Sequence, residues 1–208
     1  MSARRTSLLL AGLALYGLSL TLLVRADLGL APWDVFHQGV ARATGLSLGS
    51  VIVGTSFMVL MLWIPLRERP GIGTIANAVL VGVGVDAFSA LLPEVGDTAS
   101  RWLLLVAGIA LNGVATGLYI GAGMGPGPRD GLMTGIARRG HPIRVVRTSL
   151  ELVVLTAGIV LGGSFGVGTI AYALAIGPLV HVLLPWFTRL ADRDRRPGAA
   201  VVAGLPTP

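Results

Sequence analysis

Cysteine and lysine are both missing from this chain, whose 16 basic residues are all arginine. Without cysteine there are no disulfides and no thiolate chemistry. Without lysine a Gly-Lys-Ser/Thr phosphate loop cannot be built, so the glycine-rich stretch GAGMGPG at 121–127 has no such role. Catalytic signatures are missing too. There is no H-E-x-x-H or G-x-S-x-G, and the three scattered histidines, His37, His141 and His181, do not form a metal-ligand set. Gly71–Ala76 and Gly166–Ala171 match the G-x-G-x-x-A dinucleotide pattern, but each follows an apolar helix where the pattern requires a strand. The chain therefore reads as neither an enzyme nor a cofactor or metal protein. Charge is also scarce, at 12% of residues, against 53% hydrophobic residues and a mean hydropathy of +0.79. Such values lie far outside the range of soluble domains.

What is present instead is a set of apolar runs of about 17 to 22 residues, long enough as helix to cross ~30 Å of hydrocarbon. They cover residues 8–24, 46–66, 72–92, 102–120, 145–161 and 167–187, and predict six spans. The ten-residue alternation of a membrane barrel is lacking, and unpaired backbone groups are not tolerated in lipid, so the fold class is all-α. The net charge of +6 does not indicate a nucleic-acid partner, because the arginines flank the spans. With a cytoplasmic N-terminus, 13 arginines lie inside and only Arg25, Arg42 and Arg101 outside. This predicts a multi-pass protein of a bacterial cytoplasmic membrane with both termini inside. The first span is expected to be retained and not cleaved as a signal, since nothing near Arg25 and Asp27 resembles a cleavage frame. Residues 188–208 read as a disordered cytoplasmic tail.

The chain also repeats. GLAPWD at 29–34 and GPGPRD at 125–130 share a Gly-x-x-Pro-x-Asp frame 96 residues apart. GIGTIANA at 71–78 and GVGTIAYA at 166–173 match at an offset of 95. The chain divides accordingly into a unit at 1–93, a connector at 94–101 and a second unit at 102–187. Each unit holds three spans. With an odd number the second copy enters from the opposite face, the inverted-repeat plan of many secondary transporters, whose sites lie where the copies meet.

Candidate functional residues follow from that plan. In each frame the glycine permits a break, the proline starts a new helix and the aspartate stands ready to accept backbone N–H bonds. The segments after it, 33–44 and 129–139, are too short to span; they either lie at the interface or enter as half-helices. A half-helix would aim its positive end at an anion, making Gly29, Pro32, Trp33, Asp34, Gly125, Pro128, Arg129 and Asp130 a substrate-binding set; the plainer reading is a turn with a helix cap. Asp86 in the third span and its repeat mate His181 in the sixth are ionisable groups in lipid-length helices, candidates for a proton-coupling pair if they meet. Glu151, four residues after Arg147, either joins that set or forms a local ion pair. Small residues at 113, 117 and 121, and at 78 and 82 leading to Asp86, mark close helix contacts.

The GLAPWD-type loop after the first span, the duplicated unit and the GxGTIANA and GPGPRDGL segments resemble the YczE/YitT-like (YczE/YyaS/YitT) family of bacterial membrane proteins, in its YczE branch. The resemblance covers residues 8–187 and implies an inner-membrane protein with a role in export or in making secreted metabolites. It supplies no catalytic residues. The reading that results is a small secondary transporter or exporter of an unknown small molecule, an anion if the half-helices form. The alternative is a non-transporting membrane factor that docks a partner protein. A homodimer fits either.

Overall fold

A computed structural model describes residues 3–192 and shows eight helices: α1 (Ala3–Ala26), α2 (Pro32–Thr44), α3 (Leu48–Leu66), α4 (Ile72–Leu91), α5 (Thr98–Gly121), α6 (Pro128–Ala137), α7 (Ile143–Val160) and α8 (Val167–Asp192). The chain is a polytopic helical membrane protein. Five of the helices, α1, α3, α4, α5 and α8, are long and apolar enough to cross a bilayer. The predicted span at 145–161 is the exception: α7 forms there but carries Arg144, Arg147 and Glu151 in 18 residues, so its composition does not qualify. The connector at 94–101 is shorter than expected, because Asp97 caps α5 by accepting from the Ser100 amide at 2.8 Å. That bond holds the Asp97 carboxyl below the usual carboxylate range. Residues 188–192 of the expected tail continue α8; the rest of that tail lies outside the described residues.

At the centre α1 and α5 run antiparallel. Gly12 meets Ala115, Leu118 and Tyr119, whereas Gly108 meets Leu23 and Ser19 at the other end. Asn112 seals the crossing by donating 2.8 Å to Ser19 Oγ; both are fully buried. Glycine lets the two backbones approach so closely in the absence of a hydrophobic force between helices in lipid. The flanking helices use the same device. Gly17 of α1 touches Gly84 of α4, and Gly113, Gly117 and Gly121 of α5 receive Leu179 and Phe187 of α8. The apolar residues left exposed, such as Met58 and Met61 on α3 and Leu174 and Val182 on α8, cover the outer faces as lipid contact demands.

The short helices cross over. α2 packs on α7, and α6 packs on α3. Trp63 of α3 covers Gly131 of α6 and donates to the Pro128 carbonyl at 3.1 Å. Gly158 of α7, 95 residues after Trp63, admits Val35 and Phe36 of α2, and Val35 lies 96 residues before Gly131. Large and small residues have thus exchanged places between the two contacts.

The repeated glycine frames dock the same way. Gly168 donates to the Leu28 carbonyl at 2.7 Å, and Gly73 donates to the Met124 carbonyl at 2.9 Å. Gly29 and Gly125 adopt φ of 108° and 121°, and a Cβ on either would strike Gly166 and Thr169 or Thr74 and Gly71 respectively. Each frame therefore sits on the GxGTIA segment of the other half. In those segments Thr74 and Thr169 accept the amides of Gly71 and Gly166, which ends the loop and starts α4 or α8.

Candidate functional site

Pro32 and Pro128 start their helices inside the protein, beside Tyr16 in the middle of α1. Proline fits there because the first helical amide needs no partner. Arg129, the next residue of α6, donates through Nη2 to the Tyr16 hydroxyl at 2.5 Å and lies 5.9 Å over the Trp33 ring of α2. The guanidinium thus links both short helices to α1 by a charge-assisted hydrogen bond and a cation–π contact.

Around Arg129 the polar groups form two sets. Tyr119 donates to Asp130 Oδ2 at 2.7 Å, and Tyr172 donates to Asn112 Oδ1 at 2.8 Å. On the other side Asp34 Oδ1 faces His37 Nδ1 at 3.2 Å, with both side chains about 5% exposed. Asp34 Oδ2 and Trp33 Nε1 are buried with no hydrogen-bond partner. Neither aspartate caps its own helix, contrary to expectation: each stands at the third helical position with its carboxylate turned to a side chain.

Two cavities meet at this arginine. One, of about 200 Å³, lies between α5, α6, α7 and α8; the other, of about 20 Å³, lies between α1, α2, α3 and α4. Their walls correspond residue by residue at the repeat offsets. Leu20, Asp34, His37 and Ile52 line the small cavity where Thr116, Asp130, Met133 and Arg147 line the large one. Ser56, Asn77 and Val81 correspond likewise to Glu151, Tyr172 and Ile176. Trp33 and Arg129, themselves repeat mates, line both.

Of the predicted residues, Pro32, Trp33, Asp34, Pro128, Arg129 and Asp130 come together here, while Gly29 and Gly125 hold the loops behind them. Glu151 accepts from Arg147 Nε at 2.9 Å at the wall of the large cavity. Asp86 and His181 are not brought together. Both Asp86 oxygens are engaged at the start of α3, by the Gly49 amide at 2.8 Å and the Ser47 hydroxyl at 2.6 Å, and His181 lies on the exposed face of α8. In the stripe that begins at Ala78, Gly82 and Asp86 accordingly pack on α3 of their own half. Tyr16, Asn77, Asn112, Tyr119 and Tyr172 were absent from the sequence reading, which weighed His37 only as a metal ligand. A usable signal exists: Tyr16 and Asn112, like Asn77 and Tyr172, put polar groups at matching places in both copies of an apolar span.

Residues 3–185 match the model of a family of unknown function, DUF6198. The chain is 38% identical over 185 residues to an uncharacterized protein of Haemophilus influenzae, covering 88% of this chain and 85% of that one. It is 36% identical to the uncharacterized membrane protein YczE of Bacillus subtilis (92% and 90% covered) and 25% identical to the uncharacterized protein YyaS of the same organism (89% and 95%). No solved structure matches.

Proposed function

The chain belongs to the DUF6198 family as a YczE-like multi-pass membrane protein, and on that premise we propose that it is a small secondary transporter of an anionic small molecule, built from two inverted three-span copies. The observation that carries this reading is the pair of corresponding cavities on either side of Arg129, one of about 200 Å³ and one of about 20 Å³. A carrier must expose one central site to each face in turn, and two copies of one unit can do so by exchanging conformations.

Several contacts support the orientation. Arg5 pairs with Asp192 at 2.6 Å, which joins the two ends of the described chain at one face. Arg25 and Asp27, at the far end of α1, pair with Glu94 of the connector and Arg101 at the start of α5 respectively. α7 then makes a sixth crossing, with Arg147 and Glu151 at the wall of the large cavity. With a cytoplasmic N-terminus, the large cavity opens inward: Tyr119 lies near the inner end of α5, and Arg147 and Glu151 lie near the inner end of α7. Arg129, flanked by the positive ends of α2 and α6, is the group that holds the anion.

Counterflow in proteoliposomes, with a panel of small carboxylates and inorganic phosphate, tests this. Uptake of at least one probe is expected, with Arg129→Gln lowering it about 10- to 100-fold, the worth of a charge-assisted hydrogen bond, and Arg129→Lys retaining part of it. If the wild-type chain moves none of them and instead co-purifies with a membrane or biosynthetic partner in near-equal amount, the docking-factor reading replaces this one.

A further inference from the structure

The Asp34–His37 pair is titratable, buried and used by nothing in the anion site as described. It lines the small cavity, one side-chain shell from Arg129. Asp34 leaves Oδ2 without a partner at 4% exposure, an expensive position for a carboxylate unless something completes it. The surroundings supply little. α3 has no ionisable side chain between Leu48 and Leu66 and offers only Thr55 and Ser56. α4 offers Asn77, since its Asp86 is engaged at Ser47 and Gly49. α7 packs on α2, but its Arg147 and Glu151 pair with each other at the wall of the large cavity, and what meets Val35 is Gly158 of α7 and Gly163 in the loop after it. α1 contributes Tyr16, and α6 contributes Arg129 and Asp130. The centre therefore holds one guanidinium against two carboxylates, with His37 the one group able to add positive charge.

We propose that Asp34 and His37 form a proton-binding site whose occupancy is coupled to the anion at Arg129, each favouring the other. The coupling follows from charge. An anion on Arg129 offsets the guanidinium and makes a protonated His37 easier to hold; a protonated His37 in turn removes the excess negative charge that repels the anion. Linkage makes the two effects equal. The second half lacks this device, because Met133 stands at the position corresponding to His37 and Tyr119 occupies Asp130. The proton therefore belongs to the small cavity alone.

The inference rests on the transport reading for its purpose, but its test needs no substrate. In a His141→Gln/His181→Gln background, His37 is the sole histidine, and ring 15N NMR of the full chain in nanodiscs follows its protonation. Arg129→Gln mimics anion occupancy by removing the charge. Relative to Arg129→Lys, it is expected to move the His37 midpoint upward by about one pH unit, a tenfold gain in proton affinity. Asp34→Asn, with Arg129 intact, is expected to move it downward by a similar amount and gives an independent reading should the arginine variant fail to fold. Equal midpoints in all three, or a His37 ring that never takes up a proton, would overturn the proposal. A titration that behaves as predicted alongside absent flux would leave the proton site standing and remove the transport function.

Discussion

The two halves of the molecule use the same parts and differ most where their third and fourth helices meet. In the first half α3 lies flat on α4. Gly49 and Gly82 bring the backbones together, Val53 fills beside them, and Asp86 fastens the top to Ser47 and the Gly49 amide. In the second half α7 makes no comparable packing on α8. The positions corresponding to Gly49, Gly82 and Asp86 are Arg144, Gly177 and His181, and a Cβ at Gly177 would meet nothing within 4 Å. A charged side chain has replaced the glycine that permits contact, and the acceptor that locks it has gone. The difference accounts for one cavity of about 20 Å³ and another of about 200 Å³ from walls that otherwise correspond. Cavity size here follows one helix–helix contact, in which two of these three positions differ between the halves.

That comparison can be strained directly. The largest effect is expected from Gly82→Leu, which forces a side chain against the Gly49 carbonyl and Val53. It should cost about 3 kcal/mol or more, seen as a lower thermal midpoint and poor monodisperse yield in detergent, while Gly177→Leu stays within about 0.5 kcal/mol. Equal losses would mean that the α7–α8 contact is closed after all. Next comes Asp86→Ala, which removes the acceptor of a hydroxyl and a backbone amide and should lower stability by about 1–3 kcal/mol, against almost none for His181→Ala in the same melt. The smallest difference concerns the two exposed ties at the ends of the short helices. Arg138 binds both Glu68 oxygens at 2.9 Å, whereas its mate Arg42 holds the Gly162 carbonyl and Ser164. Arg138→Gln should cost about 0.2–1 kcal/mol at low salt and less at high salt, since an exposed ion pair is screened. Arg42→Gln should respond little to salt, because it loses bonds to uncharged acceptors.

Much of this organisation was legible before any coordinates. Span length, the breaks at Gly29–Pro32 and Gly125–Pro128 and the short helices behind them are written in local chemistry, so all eight helices fall within a few residues of the expected runs. The docking of the GxGTIA segments was not legible. Gly73 and Gly168 meet carbonyls of the opposite half, 51 and 140 residues away, and no periodicity within a span encodes such a partner. The pairing of Asp86 with His181 failed for a related reason. It assumed that corresponding residues converge, but α4 flanks α1 and α8 flanks α5, so the two helices that carry them do not pack on each other. Convergence is confined to residues near the α1–α5 crossing, where Tyr16, Trp33 and Arg129 meet. The buried Asp34–His37 pair was equally hidden: an i,i+3 spacing on a short helix reads as a surface pair until the helix is known to begin inside the protein.

The central claim, that two corresponding cavities open in turn to opposite faces around Arg129, has a direct measurement because the chain contains no native cysteine. Single thiols at Glu151, in the large cavity, and at its mate Ser56, in the small one, are labelled with a membrane-impermeant reagent from each side of oriented vesicles. The account predicts strong labelling of position 151 from the cytoplasmic side only, and slow labelling of position 56 from the opposite side only. Labelling of both positions from the same side would contradict it.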